Sequence, residues 1–388
     1  MFARWLEIPS DVSVLVLGPR RAGKTTLVRR AFPDHVYATL DDIDLLDWAK
    51  RDPKGFVESL GERGIIDEIQ RAPELTVAVK HAIDNQGARF VMTGSSTLGL
   101  LDAAADSLAG RMDIVSLPTA CWGEPDGEPT HGILDTDLSL PRIREGERRL
   151  ERAMELGQFP EVVTSREEAE ALRVLERYKN TYFTRDLMQL ANLENARGLR
   201  AILANLVHSV GSHLEVSHFA REAGLGHATA KRYLGALAGS QLTFQLMGYQ
   251  YGPAKRFLKS AKTYLCDNGV IRALGVATSR GQLLENFVVA ELEKRRKLRL
   301  IDGDQLHFYK SAGGAEVDVV FEHRGLLHAV EIKSTRRPSA RDTSSLRSFA
   351  EGVDRPVRAV LFHGGDERGE SGGVELVPVA ALYRGGGL

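Results

Sequence analysis

The sequence predicts an α/β protein of several domains, on three observations. Short apolar runs that suit buried strands alternate with helical segments through the first third of the chain. Polar residues follow these runs directly, as expected where parallel strands end at one edge of a sheet. At 388 residues the chain is also too long for a single core, which suggests two to four domains.

The first apolar run, Val12 to Leu17, leads into a glycine-rich loop that matches the phosphate-binding pattern. Its glycines let backbone N–H groups turn toward phosphates, Lys24 reaches the β and γ oxygens, and Thr25 ligates Mg²⁺ at a helix N-terminus. A chance glycine turn is the alternative. The predicted nucleotide-binding residues are Gly18, Pro19, Arg20, Arg21, Ala22, Gly23, Lys24, Thr25 and Thr26.

A second strand-like run, Gly64 to Ile66, ends in the acidic pair Asp67 and Glu68. Hydrolysis of a nucleoside triphosphate needs a second contact to Mg²⁺ and a group that orients water. We expect Asp67 to hold the metal through water and Glu68 to polarise the attacking water. An acidic pair on the surface after a short strand is the alternative.

A third strand-like run, residues 89–92, ends in Thr93 and Ser95, whose hydroxyls are predicted to face the γ-phosphate. Arg111 precedes a further apolar run and would lie at the edge of the domain. There it would reach the nucleotide of a neighbouring subunit as an arginine finger. A surface arginine, or one paired with Asp113, is the alternative.

Taken together, these stretches resemble the AAA+ superfamily: GPRRAGKTTL, LDD at 40–42, IIDEIQRAP, FVMTGSS and SLAGR occur in this order. More narrowly, the chain resembles prokaryotic ATPases that fuse an AAA-type core to a C-terminal domain of unknown function. That resemblance continues through residues 182–187, 259–269, 283–288 and 314–321. It implies ATP with Mg²⁺ as cofactors and a homo-oligomeric assembly.

Composition predicts a reduced cytoplasmic protein. The formal net charge is −1, and no apolar run approaches the length that spans a bilayer. Two cysteines, Cys121 and Cys266, make neither a disulfide framework nor a zinc site, and the 11 histidines show no ligand spacing. No membrane partner is expected.

The charge is unevenly distributed, with seven basic residues against one acidic residue between Arg221 and Lys262. Three helical segments with a glycine-bearing turn before the third, followed by strand-like residues 242–246 and 249–251, predict a winged helix. Its third helix would turn four side chains toward DNA. A solvated basic face, a spacer and a protein-docking module are the alternatives. The four side chains are His227, Thr229, Lys231 and Arg232.

Residues 317–321 and 326–333 predict a hairpin; if its loop is the two residues Arg324 and Gly325, Asp318 lies opposite Glu331, about 5 Å away. Such carboxylates repel unless a cation joins them. A longer loop, the alternative, would shift this register by a residue. With Glu285 on a preceding helix and Lys333 beyond, the pattern is similar to PD-(D/E)xK nucleases, notably archaeal Holliday-junction resolvases. That resemblance implies a second Mg²⁺ held by the three carboxylates, with Lys333 positioning water. A core hairpin with its charges paired to Arg or Lys is the alternative.

The predicted fold class is thus a P-loop AAA+ core with a parallel sheet, a helical lid, a winged-helix module and a C-terminal α/β PD-(D/E)xK-like domain. Their predicted bounds are 1–122, 123–192, 193–255 and 256–388. One expected function is an ATP-driven enzyme acting on nucleic acid, such as branched or broken DNA. The other is an ATP-dependent switch or protein remodeller whose C-terminal half only binds DNA, a partner protein or an effector.

Overall fold

A computed structural model describes residues 2–95, 108–136, 138–181, 188, 194–250, 261–311 and 313–388. The chain divides into two compact units. The N-terminal unit consists of Arg4–Thr119 with Gly235–Leu242, and the second is made mainly of Ala120–Leu234 and Thr243–Leu388. Among the described helices, none combines the length and apolar character needed to cross a bilayer.

The N-terminal unit is built on a five-stranded, wholly parallel sheet in the order β2-β3-β4-β1-β5. Parallel strands need crossover connections, and helices supply several of them. Strand β1 lies between β4 and β5, neither of which adjoins it in sequence, so ligand binding is expected at its carboxyl end. The elements are β1 (Ser13–Leu17), α1 (Lys24–Ala31), β2 (Val36–Thr39), α2 (Ile43–Arg51), α3 (Pro53–Ser59), β3 (Arg63–Asp67), α4 (Leu75–Gln86), β4 (Arg89–Gly94) and β5 (Met112–Ser116).

Both faces of this sheet are buried. Alternate residues of β1 enter two different apolar cores, since Leu15 packs with residues of α2, α3 and α4 whereas Val14 packs with Val28 of α1. Successive side chains of a strand point to opposite faces, so the sheet is covered by α1 on one side and by α2 to α4 on the other. Burial on both faces explains why the strands read as continuous apolar runs.

The second unit begins with helices. They are α5 (Leu140–Leu156), α6 (Pro160–Val163), α7 (Glu168–Thr181), α8 (Ala196–His208), α9 (Val216–Ala223) and α10 (His227–Gly239), which continues into the N-terminal unit. Helix α9 ends at Gly224, which adopts φ +63°, a conformation open to glycine at little steric cost. The predicted glycine stop before the third helix is confirmed.

Eight described strands of the second unit form one mixed sheet in the order β12-β13-β11-β10-β9-β8-β6-β7. Strand β9 is antiparallel to β8 and β10, whereas β10, β11 and β13 run parallel. The elements are β6 (Thr243–Gly248), β7 (Lys262–Leu265), α11 (Asn268–Leu274), α12 (Arg280–Lys297), β8 (His307–Lys310), β9 (Glu316–His323), β10 (Leu326–Lys333), α13 (Ser344–Gly352), β11 (Val357–His363), β12 (Gly369–Ser371) and β13 (Val374–Pro378).

The hairpin of β9 and β10 has the predicted two-residue turn. Arg324 and Gly325 both have positive φ, 49° and 75°, as the tightest hairpin turns require. Pairing runs from Leu326 opposite His323 to Val330 opposite Val319. The predicted register is therefore confirmed, and the next position along it sets Asp318 against Glu331.

One strand prediction was wrong. Residues 249–251 were expected to form the second strand after β6, but Tyr249 and Gln250 belong to no strand, and β6 pairs antiparallel with β7 instead. The Tyr249 backbone N–H donates to the Phe308 carbonyl at 2.6 Å, continuing toward β8. Residues 251–260 lie outside the described part of the chain.

Candidate functional site

The glycine-rich loop lies between β1 and α1, at the carboxyl end of the central strand. Gly23 caps α1 with φ +91°, a left-handed conformation that favours glycine. Gly18 is needed for a different reason, because a Cβ there would lie 2.1 Å from the Leu117 carbonyl oxygen. The two glycines thus permit a tight turn and a close approach of the loop to the neighbouring strand's end.

Lys24 is buried, and its ammonium closes back over the loop. Its Nζ donates to the Gly18 carbonyl at 2.9 Å and to the Pro19 carbonyl at 3.2 Å. Burial lowers the pKa of Lys24, although the nearby carboxylates of Glu68 and Asp67 act in the opposite direction. The side chain is held over the concave side of the loop, where phosphate oxygens would replace the carbonyls as its partners.

Asp67, the last residue of β3, accepts hydrogen bonds from three hydroxyl groups. The Thr25 hydroxyl donates to its Oδ2 at 2.9 Å, the Tyr37 hydroxyl donates to the same oxygen at 2.8 Å, and the Thr93 hydroxyl donates to Oδ1. Burial and the bond to Asp67 raise the pKa of Tyr37 to about 12. Neutral donors from α1, β2 and β4 therefore orient this carboxylate next to Thr25.

Glu68 follows directly, with φ +61°. A positive φ is uncommon for a residue other than glycine and turns the side chain away from the strand direction. Its backbone N–H donates to the Thr93 hydroxyl at 3.1 Å, and the Ser95 hydroxyl donates to its Oε2 at 3.0 Å. Gln70 donates both to Glu68 and, at 3.1 Å, to Ser95. The Glu68 carboxylate is thus fixed in place.

The structure brings Lys24, Thr25, Asp67, Glu68, Thr93 and Ser95 together at the carboxyl edge of β1, β3 and β4. Sequence reasoning missed Tyr37 and Gln70. Gln70 lies in the same motif as Glu68 and so had a signal. Tyr37 had none, because its contact with Asp67 depends on β2 lying beside β3.

Arg111 has a different partner from the one considered. Its Nε donates to Asp84 Oδ1 of α4 at 2.6 Å, not to Asp113, and about a third of its side chain is exposed. Pairs on the surface contribute little to stability, so this contact does not fix the arginine strongly. Its role as an arginine finger stays a prediction.

On α10, the predicted nucleic-acid residues His227, Lys231 and Arg232 are exposed, and Thr229 is half-buried. Lys255, Arg256 and Lys259 of the same basic stretch lie outside the described residues. Lys262, also counted in that stretch, was wrongly expected at the surface, because it belongs to a strand of the sheet and is buried.

Lys262 lies instead among the carboxylates predicted to hold a second Mg²⁺. Its ammonium forms an ion pair with Glu316 and lies 3.6 Å from Asp318 Oδ1. On the neighbouring elements, the Tyr264 hydroxyl donates to Glu285 Oε1 at 2.9 Å, and Lys333 pairs with Glu331 Oε1 at 2.6 Å. We call this group the carboxylate cluster: Lys262, Tyr264, Glu285, Lys310, Glu316, Asp318, Glu331 and Lys333.

Burial is the main electrostatic influence on the carboxylate cluster. It raises the pKa of Glu285 to about 7 and that of Glu331 to about 8, and in each case the charge of Asp318 adds to the effect. The pKa of Asp318 is also raised by burial, although Lys262 opposes the shift. Burial disfavours the charged form of an acid, so these carboxyl groups retain their protons more readily than exposed ones.

The donor set does not fit the predicted second Mg²⁺ site. Within the described ranges, no group of three or more His, Cys, Asp or Glu side chains is arranged to hold a metal ion. The expectation that Glu285, Asp318 and Glu331 share a metal is therefore not met, because the ammonium of Lys262 lies against Asp318. Sequence reasoning missed Lys262 as a member of this cluster.

Comparison with known protein families divides the chain into three stretches. Residues 10–125 match the AAA domain family. Residues 147–280 and 280–382 match two families described as domains of unknown function, DUF8612 and DUF4143. The phosphate loop and the acidic strand end both fall within the first stretch, and the carboxylate cluster falls mainly within the last.

Relatives from three organisms align with most of this chain. Uncharacterised proteins of Mycobacterium bovis and Mycobacterium tuberculosis are each 28% identical over 389 residues, covering 97% of this chain and 82% of theirs. An uncharacterised protein of Methanocaldococcus jannaschii is 24% identical over 326 residues, covering 80% of this chain and 72% of its own.

Two solved structures show distant similarity. A signal transduction ATPase with numerous domains, carrying a tetratricopeptide repeat sensor, from Pyrococcus horikoshii has 12% identity and a TM-score of 0.22, over 76% of this chain and 46% of its own. A Vibrio cholerae protein has 12% identity and a TM-score of 0.23, and the match covers 96% of this chain and 99% of that protein. From the family matches and the loop geometry, this chain carries an AAA-type P-loop domain at its N-terminus and a DUF4143 domain at its C-terminus.

Proposed function

We propose that this protein binds ATP with Mg²⁺ and hydrolyses it at the carboxyl edge of the N-terminal sheet. One observation carries the proposal: the Asp67 carboxylate lies within hydrogen-bond distance of the Thr25 hydroxyl, and Glu68 follows it at the strand's end. Hydroxyl and carboxylate oxygens are ligands that Mg²⁺ accepts, so the residues present fit the cofactor. Bound Mg²⁺ would supply charge neutralisation on the phosphates.

The chain's own residues would divide the work. Backbone N–H groups of the loop bind phosphate oxygens, and Lys24 exchanges its two loop carbonyls for them. Glu68 accepts a hydrogen bond from the attacking water and orients it, while Ser95 and Gln70 hold the carboxylate. Thr93 links the two acidic positions, because its hydroxyl contacts the Asp67 carboxylate and the Glu68 backbone.

Two variants should affect ATP binding and ATP hydrolysis differently. Lys24→Ala should remove most ATP binding, whereas Glu68→Gln should keep ATP bound and slow its hydrolysis, because binding uses the loop and turnover needs oriented water. Fluorescent nucleotide titration and phosphate release measure the two properties. Glu62→Gln, the same change at an exposed position, is the matched control. Wild-type turnover in a folded Glu68→Gln chain would defeat the proposal.

Self-association is part of the proposal, with Arg111 acting on the nucleotide of a neighbouring copy. Loss of an arginine finger lowers turnover by on the order of 10³-fold. Mixing Arg111→Ala with Lys24→Ala chains should restore some activity, since one mixed interface has an intact loop and an intact finger. Asp84→Ala removes the same ion pair and is the control. An equal loss in Asp84→Ala would assign the effect to the ion pair instead.

A second candidate function, binding to DNA, is favoured by the exposed cationic side chains of α10. His227, Lys231 and Arg232 follow the glycine turn between α9 and α10 and remain open to solvent. Exposed cationic side chains such as Lys231 and Arg232 suit the phosphate backbone. Protein docking at this surface is the alternative, and it predicts a different salt dependence.

The dependence of binding on salt concentration distinguishes DNA binding from protein docking at α10. The Lys231→Ala, Arg232→Ala double variant should weaken DNA binding and flatten the slope of log affinity against log salt by about 2 at most, at about 0.9 per phosphate contact. Arg144 and Arg148, exposed on α5, provide a matched control pair. Unchanged binding in the folded double variant would favour docking of a protein partner.

A further inference from the structure

The carboxylate cluster places an ammonium where a metal-dependent nuclease would need a divalent cation. Lys262 lies on β7, and its side chain is only 3% exposed. Its Nζ pairs with Glu316 and lies 3.6 Å from Asp318 Oδ1. The cation that relieves repulsion between these acids is therefore part of the chain.

We propose that Lys262 serves as the built-in cation of the carboxylate cluster and that this cluster takes no divalent metal. The consequence goes beyond ATP hydrolysis: the second unit does not cleave nucleic acid by metal-dependent chemistry through Asp318 and Glu331.

The fixed charges of the cluster support this inference. Four carboxylates, Glu285, Glu316, Asp318 and Glu331, face three ammonium groups, Lys262, Lys310 and Lys333. The cluster is thus one charge away from neutrality when every group is ionised. A divalent cation would change the net charge of the cluster from slightly negative to slightly positive. Coulombic attraction therefore favours its binding only weakly.

The donor oxygens are also occupied. Asp318 Oδ2 accepts from the Ile332 backbone N–H at 3.0 Å, and its Oδ1 faces Lys262. Glu331 Oε1 accepts from Lys333 at 2.6 Å. Glu331 Oε2 is buried without a hydrogen-bond partner among the described residues. Oxygens already held by an ammonium or an N–H group are poorly placed to complete the octahedral set of oxygen ligands that Mg²⁺ requires.

Lys262 is also held in its position. Its strand pairs antiparallel with β6, with Lys262 opposite Leu246. Its ammonium lies 5.7 Å from the centre of the Phe308 ring on β8. Moving the ammonium aside would leave a buried charge without its partners, which is strongly unfavourable. A metal would therefore have to displace the lysine rather than bind beside it.

Binding of Mn²⁺ alone, followed by electron paramagnetic resonance of the free ion, tests the proposal. The full-length chain without nucleotide would carry Asp67→Asn, which removes the carboxylate expected to hold Mg²⁺ at the nucleotide site. We expect no stoichiometric Mn²⁺ binding up to millimolar concentration. Adding Lys262→Met should create a site that binds Mn²⁺ at least tenfold more tightly, and adding Asp318→Asn should abolish it again.

Lys310→Met is the matched control, because Lys310 contacts Glu316 but is substantially exposed, whereas Lys262 is the buried ammonium beside Asp318. It should gain no Mn²⁺ site. Stoichiometric Mn²⁺ binding to the Asp67→Asn chain that is lost on adding Asp318→Asn would overturn the proposal, and this comparison does not require the Lys262 variant to fold. A folded Lys262→Met chain that gains no site would also overturn the role given to Lys262.

Discussion

The nucleotide site and the carboxylate cluster both hold buried carboxylates, but the partners of those carboxylates differ. Each contains more than one acidic side chain, and in each a tyrosine hydroxyl donates to a carboxylate, from Tyr37 to Asp67 and from Tyr264 to Glu285. At the nucleotide site the remaining donors to Asp67 are neutral hydroxyls. In the cluster the partner of Asp318 is a buried ammonium.

The difference between hydroxyl and ammonium partners determines whether a carboxylate is available to a metal ion. A hydroxyl can turn its hydrogen away and offer its oxygen to a cation, because it is both donor and acceptor. An ammonium has no acceptor and repels a cation. The same residue type, aspartate at a strand of an α/β unit, is therefore expected to bind Mg²⁺ in one unit and to serve as a structural ion-pair partner in the other.

We expect the largest difference in ATP turnover and stability from replacing one aspartate by asparagine, either at the nucleotide site or in the carboxylate cluster. Asp67→Asn should lower ATP turnover by about 10- to 100-fold with little loss of stability, because Asp67 acts on the metal through water. Asp318→Asn should leave turnover within about twofold and lower the free energy of unfolding by on the order of 3 kcal/mol, because it leaves Lys262 buried with fewer partners. Phosphate release and denaturant unfolding measure both.

The opposite result for these two variants would contradict the roles given to the nucleotide site and the carboxylate cluster. A large loss of ATP turnover in a stably folded Asp318→Asn chain, with Asp67→Asn unchanged, would mean that the chemistry had been assigned to the wrong unit. Enzyme assays at saturating ATP separate this from a defect in nucleotide binding.

The next effect concerns pH. Glu285 and Glu331 have pKa values raised to about 7 and about 8, so the folded state binds protons that the unfolded state releases near pH 4.5. Their protonation stabilises the fold at low pH, and that contribution is lost as pH rises through 7 to 8. The melting temperature of the second unit should fall by at least a few degrees between pH 6 and pH 9.

Glu331→Gln is the variant that isolates this effect. An amide does not ionise, so the melting temperature of Glu331→Gln should fall less than that of the wild type over the same interval. Glu322→Gln, an exposed change on β9, is the control. Parallel curves for wild type and Glu331→Gln would show that another group dominates the pH dependence.

The smallest effect compares the two tyrosines. Tyr37→Phe removes one of three hydroxyl donors to Asp67 and should lower turnover by less than about tenfold. Tyr264→Phe should leave turnover unchanged and cost about 1 kcal/mol of stability, the usual net value of one hydrogen bond. Steady-state kinetics and thermal unfolding of the two variants would show whether the roles are instead the same.

Much of the nucleotide site could be predicted because its signals are local. Lys24 and Thr25 belong to one contiguous loop, and Asp67 and Glu68 end one short apolar run. The hairpin register was predictable for a similar reason, since a two-residue turn at Arg324 and Gly325 fixes every pair that follows. In each case the geometry depends on residues adjacent in sequence.

Predictions that depended on distant contacts were less successful. Arg111 pairs with Asp84 of α4 rather than with Asp113, although Asp113 is nearer in sequence. Lys262 was counted as a surface charge because its neighbours in sequence are basic, yet it is buried and its ammonium lies against two carboxylates of β9. Charge counted along the chain does not reveal which side chains a sheet encloses.

The sequence by itself determined the phosphate loop, the acidic end of β3 and the pairing of β9 with β10, because fixed spacing and alternation act over a few residues. Only the tertiary structure decided the partners of the two sets of acids. Tyr37 reaches Asp67 because β2 lies beside β3, and Lys262 reaches Asp318 from a strand far from it in sequence. Strand order and burial arise from packing the whole chain, and they determine whether a carboxylate meets a hydroxyl or an ammonium.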